Sequence, residues 1–214
     1  MSNKFSDSTN VENNSNDACR RSLKIVVVGD KKVGKTCLLL RYVTNTFPGD
    51  GDYVPVVLDD QFVIHTLDPV TGEHVKLVKL VDTTVRDHNY GSSLRPLCYP
   101  KTDVFIICFS LVNDSSRENV CAKWVPELRR YCPDVPTIVV GTKHDLKEDT
   151  GTVGSGAWAR ELGATSYHEV SSATGYCVFE VFDEAVRAAL GLRSLHELHI
   201  LAKKRKKKNK CVLV

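Results

Sequence analysis

The eight cysteines of this 214-residue chain include no Cys-x-x-Cys pair, and no apolar run approaches the roughly 18 residues needed to span a bilayer. A charged segment followed by an apolar core, the mark of a secretory leader, is also missing from the N-terminus. The chain is therefore expected to be neither secreted nor membrane-spanning. Cys98 and Cys108, which lie in or beside strongly apolar stretches, are expected to be reduced core thiols. No internal repeat is present, and residues 1–22, rich in Asn and Ser, carry no apolar period to drive a helix or strand. They are read as a disordered extension. A chain of this length buries one sizeable core, so a single domain over residues 23–192 is expected, followed by a tail over residues 193–214.

The tail lacks acid where it is most basic. Lys203 to Lys210 holds seven of the chain's 29 Lys and Arg side chains, and the remaining 22 face 26 Asp and Glu, so the formal charge of +3 hides a mildly acidic body. A nucleic-acid-binding fold more often spreads its positive charge over the folded surface. A terminal block instead suggests a tail with its own role, and no nucleic-acid partner is expected.

From Leu23 onward, short β-branched runs alternate with longer helical patterns, the signature of βαβ units. Leu23 to Val28 reads as a buried strand ending in Gly29, and Lys35 to Val43 as the helix that follows. Gln61 to Leu67 and His74 to Val81 alternate, and Asp68 to Glu73 joins them with turn chemistry, which predicts an antiparallel pair. Asp103 to Ser110 and Pro136 to Gly141 are near-continuous apolar runs, as expected of parallel strands covered on both faces. Ser115 to Tyr131 reads as a helix with Ser115 or Ser116 as N-cap and Glu118 in its first turn. Ala157 to Leu162 and Tyr176 to Leu190 read as later helices, with a short strand near Ser166 to Val170 between them. The predicted class is an α/β three-layer fold whose six-stranded, mostly parallel sheet is flanked by five helices.

Gly29-Asp30-Lys31-Lys32-Val33-Gly34-Lys35-Thr36 matches GxxxxGK[ST] in full, after a strand and at the opening of a helix. A chance glycine-rich turn has no reason to stand there. In that geometry successive backbone N–H groups and a positive helix N-terminus wrap a phosphate chain. Lys35 then reaches the β- and γ-phosphates, and the Thr36 hydroxyl ligates Mg²⁺. Gly29, Lys32, Val33, Gly34, Lys35, Thr36 and Cys37 are the predicted phosphate-binding residues.

Adenine and guanine users share such a loop. Thr142-Lys143-His144-Asp145 follows a strand end, with Asp145 roughly 110 residues beyond Lys35, and it selects the base. A carboxylate at Asp145 can accept hydrogen bonds from guanine N1 and N2 together, whereas adenine offers no such donor pair. The Lys143 stem can lie over the ring.

With these residues in place, Leu23 to Leu190 resembles the Ras-like small GTPases, and most closely their Rho/Rac branch. The resemblance is carried by Asn45-Thr46-Phe47-Pro48-Gly49, by Leu94 to Pro100, by the run from Asp103, by Lys123-Trp124 and by Phe182-Asp183-Glu184-Ala185. It implies a P-loop NTPase fold (a G domain) that binds GTP or GDP with Mg²⁺. It further implies that Phe47 packs against the guanine, that the backbone of Ser172 and Ala173 meets the guanine carbonyl, and that Asp82 contacts Mg²⁺ through water. Effectors are expected to read the first switch at Tyr53, Leu58 and Asp59, where Leu58 replaces an aromatic residue of the family. Exchange factors and a prenyl-binding chaperone are further implied partners, and the protein is expected to be a monomer.

The departures from the family fall where the γ-phosphate is sensed and cleaved. Val56 stands where the first switch carries a Mg²⁺-binding Thr, and valine has no oxygen to offer. The second switch reads Asp82-Thr83-Thr84-Val85-Arg86 in place of Asp-x-x-Gly-Gln. Val85 resists dihedrals that glycine visits freely, and Arg86 cannot accept a proton from the attacking water. Lys31 stands where the family prefers glycine and crowds the space of an arginine finger. Lys31, Lys32 and Arg86 either add positive charge around the triphosphate or, for the two lysines, simply point into solvent. Two extra residues in Asp50-Gly51-Asp52 and the missing helical insert after Asp145 are further differences.

Cys211-Val212-Leu213-Val214 fits C-a-a-X directly after the basic block, so Cys211 is the predicted prenylation site. One lipid binds only marginally, and a polybasic second signal stabilises attachment to an anionic leaflet. A nuclear-import signal or a nucleic-acid patch is the rival reading of the basic block. Three functional readings remain open: a mostly GTP-loaded binding module at the cytoplasmic face of a membrane, most readily the plasma membrane; a conventional cycling switch; and a nucleotide-free scaffold. No catalytic residue is assigned.

Overall fold

A computed structural model describes residues 22–48, 62–67, 74–83, 95–147 and 156–191. Six strands form one sheet: β1 (Ser22–Gly29), β2 (Phe62–Leu67), β3 (His74–Asp82), β4 (Val104–Ser110), β5 (Thr137–Thr142) and β6 (Ser166–Glu169). Their order across the sheet is β2-β3-β1-β4-β5-β6. Only β2 runs antiparallel, pairing Phe62 with Leu80 and Leu67 with His74 across a register irregularity between Ile64 and Thr66. The other four pairings are parallel, including Val27 beside Asp82 and Gly29 beside Cys108.

Alternation along the strands divides the core in two. Ile25, Val27, Val104, Ile106, Cys108, Ile138 and Val140 face one side, and Val26, Val28, Phe105, Ile107, Phe109 and Val139 face the other. All of them are buried, which is why these strands read as continuous apolar runs rather than as half-polar ones. Helices α1 (Lys35–Thr44) and α5 (Val178–Ala189) cover the first side. Val178, Val181, Phe182, Ala185 and Val186 of α5 recur at helical spacing and are buried. The valines and Phe182 each contribute about 1.5–3 kcal/mol when fully removed from water. Phe182 stacks on Tyr42 of α1 with ring centroids 3.8 Å apart, which fixes the helix carrying Lys35 and Thr36 against the C-terminal helix.

The second side is covered by α2 (Asp114–Asn119), a π turn (Val120–Trp124), α3 (Val125–Tyr131) and α4 (Ala157–Glu161). The single helix expected from Ser115 to Tyr131 is thus divided by the π turn, which gives five α-helical segments among the described residues. Its N-cap is Asn113 rather than Ser115 or Ser116: the Asn113 side chain accepts from the Ser116 N–H at 3.3 Å, and the first-turn acid is Asp114, not Glu118. The Ser116 hydroxyl is committed elsewhere, donating to the Asn113 carbonyl at 2.7 Å and accepting from the Ser110 N–H at 2.9 Å. The last helix begins at Val178 because Gly175 (φ 84°) and Cys177 (φ 52°) occupy the left-handed region and form the turn that precedes it.

Cys98 and Cys108 are buried thiols as expected, and burial pushes Cys108 up to about 12. Cys121, by contrast, lies exposed on the π turn. No helix among the described residues is long and apolar enough to cross a membrane.

Candidate functional site

The C-terminal ends of β1, β3, β4 and β5 converge where the sheet order reverses beside β1, the place at which open α/β sheets hold ligands. Gly29 ends β1 with φ 143°, and a Cβ there would lie 2.2 Å from the Cys108 carbonyl oxygen, so no other residue fits so close to β4. Gly34 (φ 98°) then turns the chain into α1. No side chain caps that helix and no acid lies in its first turn, which leaves its amides and positive end for an anion.

Lys35 is 2% exposed, and its ammonium donates to the carbonyls of Gly29 (2.9 Å) and Asp30 (2.8 Å), which holds it across the loop it serves. Thr36 donates through its hydroxyl to Asp82 Oδ2 at 2.5 Å, which joins the first turn of α1 to the end of β3. Asp82 is 4% exposed, and a carboxylate buried so deeply needs a cation or donors near it. A hydroxyl oxygen and a carboxylate held together suit a hard divalent cation such as Mg²⁺. No group of three or more His, Cys, Asp or Glu among the described residues could hold a metal, so phosphate oxygens and water would complete any such shell. When bound, Mg²⁺ neutralises charge on the β- and γ-phosphate oxygens. Thr83, next in line, is fully buried and donates to the Val27 carbonyl at 2.9 Å, which ties the end of β3 to β1.

Residues 142–145, expected from the sequence to select the base, lie at the end of β5 beside the end of β6. Thr142 is buried, with its hydroxyl between the carbonyls of Val33 and Phe109 (the latter at 2.9 Å), its one proton shared by the two. Lys143 takes the left-handed conformation at φ 60°, and the His144 N–H donates to the Val170 carbonyl at 3.0 Å. Burial pushes the Cys37 thiol up while the Lys143 ammonium opposes that shift, so the predicted base-covering lysine lies close enough to α1 to act on it. Asp145 is exposed, and its Oδ1 accepts from the buried Ser171 hydroxyl at 2.5 Å. The same Ser171 oxygen accepts from the Thr174 N–H at 3.1 Å. The carboxylate is therefore aimed by a rigid neighbour while its face to solvent stays open for a ligand. Ser172 is 7% exposed and Ala173 is exposed beside it. The Phe47 ring is 41% exposed, available to a flat ligand.

The structure thus brings together Gly29, Gly34, Lys35, Thr36 and Asp82 at one end of the crevice and Thr142, Lys143, Asp145 and Ser171 at the other. Lys31 and Lys32 are both exposed, and Lys32 adopts φ 63°. Tyr53, Val56, Leu58, Asp59, Val85, Arg86 and Cys211 lie outside the described residues. Three contributors were not foreseen. The Thr142 hydroxyl ties the two halves of the site together, and the Ser171 hydroxyl aims Asp145. Asp30 accepts from Asn119 Nδ2 (2.6 Å) and Trp124 Nε1 (3.0 Å), which fastens the loop to the helix across the crevice.

A family model described as the Ras family matches residues 24–191, a span that holds the loop from Gly29 to Thr36, the Thr36–Asp82 pair and residues 142–145 alike. The chain belongs to the Ras family, the small GTPases that bind guanine nucleotides on a P-loop fold.

Proposed function

We propose that this protein is a Rho-like, membrane-tethered GTP-binding module that hydrolyses GTP slowly or not at all and is mostly GTP-loaded. The observation that carries the reading is a contrast within one site. The groups that grip nucleotide are present and held in place, with Lys35 on the loop carbonyls, Thr36 on Asp82, and Asp145 on Ser171. The positions that sense and cleave the γ-phosphate carry Val56, Val85 and Arg86. Binding rests on the first set and hydrolysis on the second, so losing the second alone leaves a binder that does not turn itself off.

In this reading the first-turn amides of α1 and the Lys35 ammonium hold the phosphate chain. Asp145 takes both guanine donors, and Phe47 and the Lys143 stem flank the ring. Arg86 supplies charge near the γ-phosphate without aligning a water. Effectors meet the segment with Tyr53, Leu58 and Asp59, while output follows abundance and location rather than a hydrolytic clock. The seven basic residues before Cys211 and a prenyl group on that cysteine attach the chain to an anionic leaflet, each basic side chain contributing about 1 kcal/mol near the surface.

The test extracts nucleotide from freshly purified protein, identifies it by chromatography and follows single-turnover phosphate release. GTP retained with negligible release is the expected result. GDP with brisk release returns the protein to the conventional cycling switch, and an empty site to the scaffold reading. For the tether, Cys211→Ser is expected to move the protein from the membrane to the soluble fraction of the cell; unchanged membrane association would exclude lipidation at Cys211 as the anchor.

A further inference from the structure

The phosphate loop is held from outside by an irregularity in the neighbouring helix. Asp30 belongs to the loop, and its two carboxylate oxygens are taken separately: Oδ2 by Asn119 Nδ2 at 2.6 Å and Oδ1 by Trp124 Nε1 at 3.0 Å. Asn119 and Trp124 are five residues apart. In an α-helix of 3.6 residues per turn, side chains at that spacing point about 140° away from each other and could not share one carboxylate. Between these two residues, however, the helix forms a π turn, with the Val125 N–H donating to the Val120 carbonyl. Closing rings over five residues brings positions i and i+5 nearly one above the other. The π turn is what lets one carboxylate receive both donors.

We propose that this π turn is a clamp on the phosphate loop, with Asn119 and Trp124 as positioning residues that act through Asp30 to set how long a guanine nucleotide is retained. The inference rests on nucleotide binding at the loop and is independent of how fast GTP is cleaved. Two features connect the clamp to the phosphates. The Lys35 ammonium is held by the backbone carbonyl of Asp30, the residue the clamp immobilises, as well as by that of Gly29. The Asp30 carboxylate would otherwise be a free negative charge in a loop built for anions, and two N–H donors direct it away and disperse its charge. The Trp124 ring is itself fixed, buried to 1% exposure with the Arg95 guanidinium 4.5 Å from its centroid and the Lys123 ammonium 4.3 Å from it. Arg95 is in turn held by Glu127 at 2.6 Å. The indole N–H therefore has one direction in which to point.

The experiment compares release of fluorescent GDP from the full chain and its Trp124→Phe, Asn119→Ala and Asp30→Ala variants, together with the phosphorus resonances of bound GDP. Trp124→Phe keeps the ring and removes only the donor; Asn119 is half-buried, so its truncation leaves the core intact. Each single substitution is expected to speed release by about tenfold or more, the worth of a hydrogen bond to a charged group, and to shift the β-phosphate resonance while leaving the α-phosphate in place. On an Asp30→Ala background the other two substitutions should add little, because their common acceptor is gone. Unchanged release and resonances in the folded Asn119→Ala protein, or effects that simply add on the Asp30→Ala background, would overturn the clamp. Failure of the unsubstituted protein to retain GDP would overturn nucleotide binding at the loop itself, and the clamp with it.

Discussion

The Thr142 hydroxyl at the end of β5 reaches the backbone carbonyl of Val33 in the phosphate loop, 109 residues away in sequence. Through it, the strand that leads into residues 142–145 is tied directly to the loop between β1 and α1. The carbonyl of Phe109 is the hydroxyl's second neighbour, so all three groups are buried and none can turn to water instead.

Thr142→Val keeps the shape and deletes the hydroxyl, leaving the Val33 carbonyl without that donor. A loss of about 1–3 kcal/mol in folding stability is expected, measured by urea unfolding. Because the tether spans both halves of the site, the loss should grow when excess GDP is present, since the substituted protein also binds GDP more weakly and gains less from it. An equal loss with and without GDP would show that the tether serves the fold alone.

In the proposed reading, Asp145 selects guanine and the Ser171 hydroxyl aims it. Ser171→Ala is expected to weaken GDP binding by roughly tenfold, the worth of a hydrogen bond to a charged acceptor, while the preference for guanine over adenine survives. Asp145→Asn should remove the preference itself: a carboxamide presents one donor and one acceptor, which suits the N1–H and O2 of xanthine better than the two donors of guanine. Calorimetric titration with GDP, ADP and xanthosine diphosphate checks both substitutions.

What was legible in the sequence follows physical necessity. Strands β4 and β5 are covered on both faces, so their composition alone announces them, and the phosphate motif stands between a strand and a helix because the mechanism needs both. The Asp30 clamp left no such trace. A π turn has no composition of its own, and Asn119 and Trp124 at helical spacing point to different sides. The N-cap was misplaced by two or three residues for a related reason. Asn113, Ser115 and Ser116 can all cap, and only the fold shows that Ser116 is spent on bridging β4 to the helix start. Ser172 and Ala173 were visible for their backbone, but the Ser171 hydroxyl beside them was not, because its partner is set by how β6 lies beside β5.

Glu127 gives the fold an acid limit. Burial pushes its carboxyl up, but hydrogen bonds from Arg95 and Tyr99, at 2.6 to 2.9 Å and 2.5 Å, outweigh burial and hold it below the ordinary 4.5. The unfolded chain therefore takes up this proton first as pH falls. The stabilisation is fully present above about pH 4.5 and is lost as pH drops through the lower folded-state value. Replacing Glu127 by Leu removes the counter-charge that this carboxylate gives the buried Arg95 guanidinium, with an expected loss of about 3–5 kcal/mol at neutral pH. In that variant this part of the acid dependence should be missing from unfolding curves collected between pH 3 and pH 7.

The hydrolytic reading is tested most directly by putting back what the second switch lacks. Val85→Gly restores a residue that can swing through the dihedrals of a γ-phosphate sensor, and Arg86→Gln restores a side chain with both a donor and an acceptor for the attacking water. Positioning groups of this kind contribute on the order of 10²-fold or more to a rate, so the double substitution should raise single-turnover phosphate release by about that factor. Lys31→Gly, added to the pair, opens the space an arginine finger would enter. It should matter only when an activating protein is supplied, since the Lys31 side chain is exposed to solvent. If release stays flat in the double variant while GTP remains bound, the block lies elsewhere, and Val56 becomes the next position to restore, because its replacement by threonine returns the oxygen that the first switch is missing.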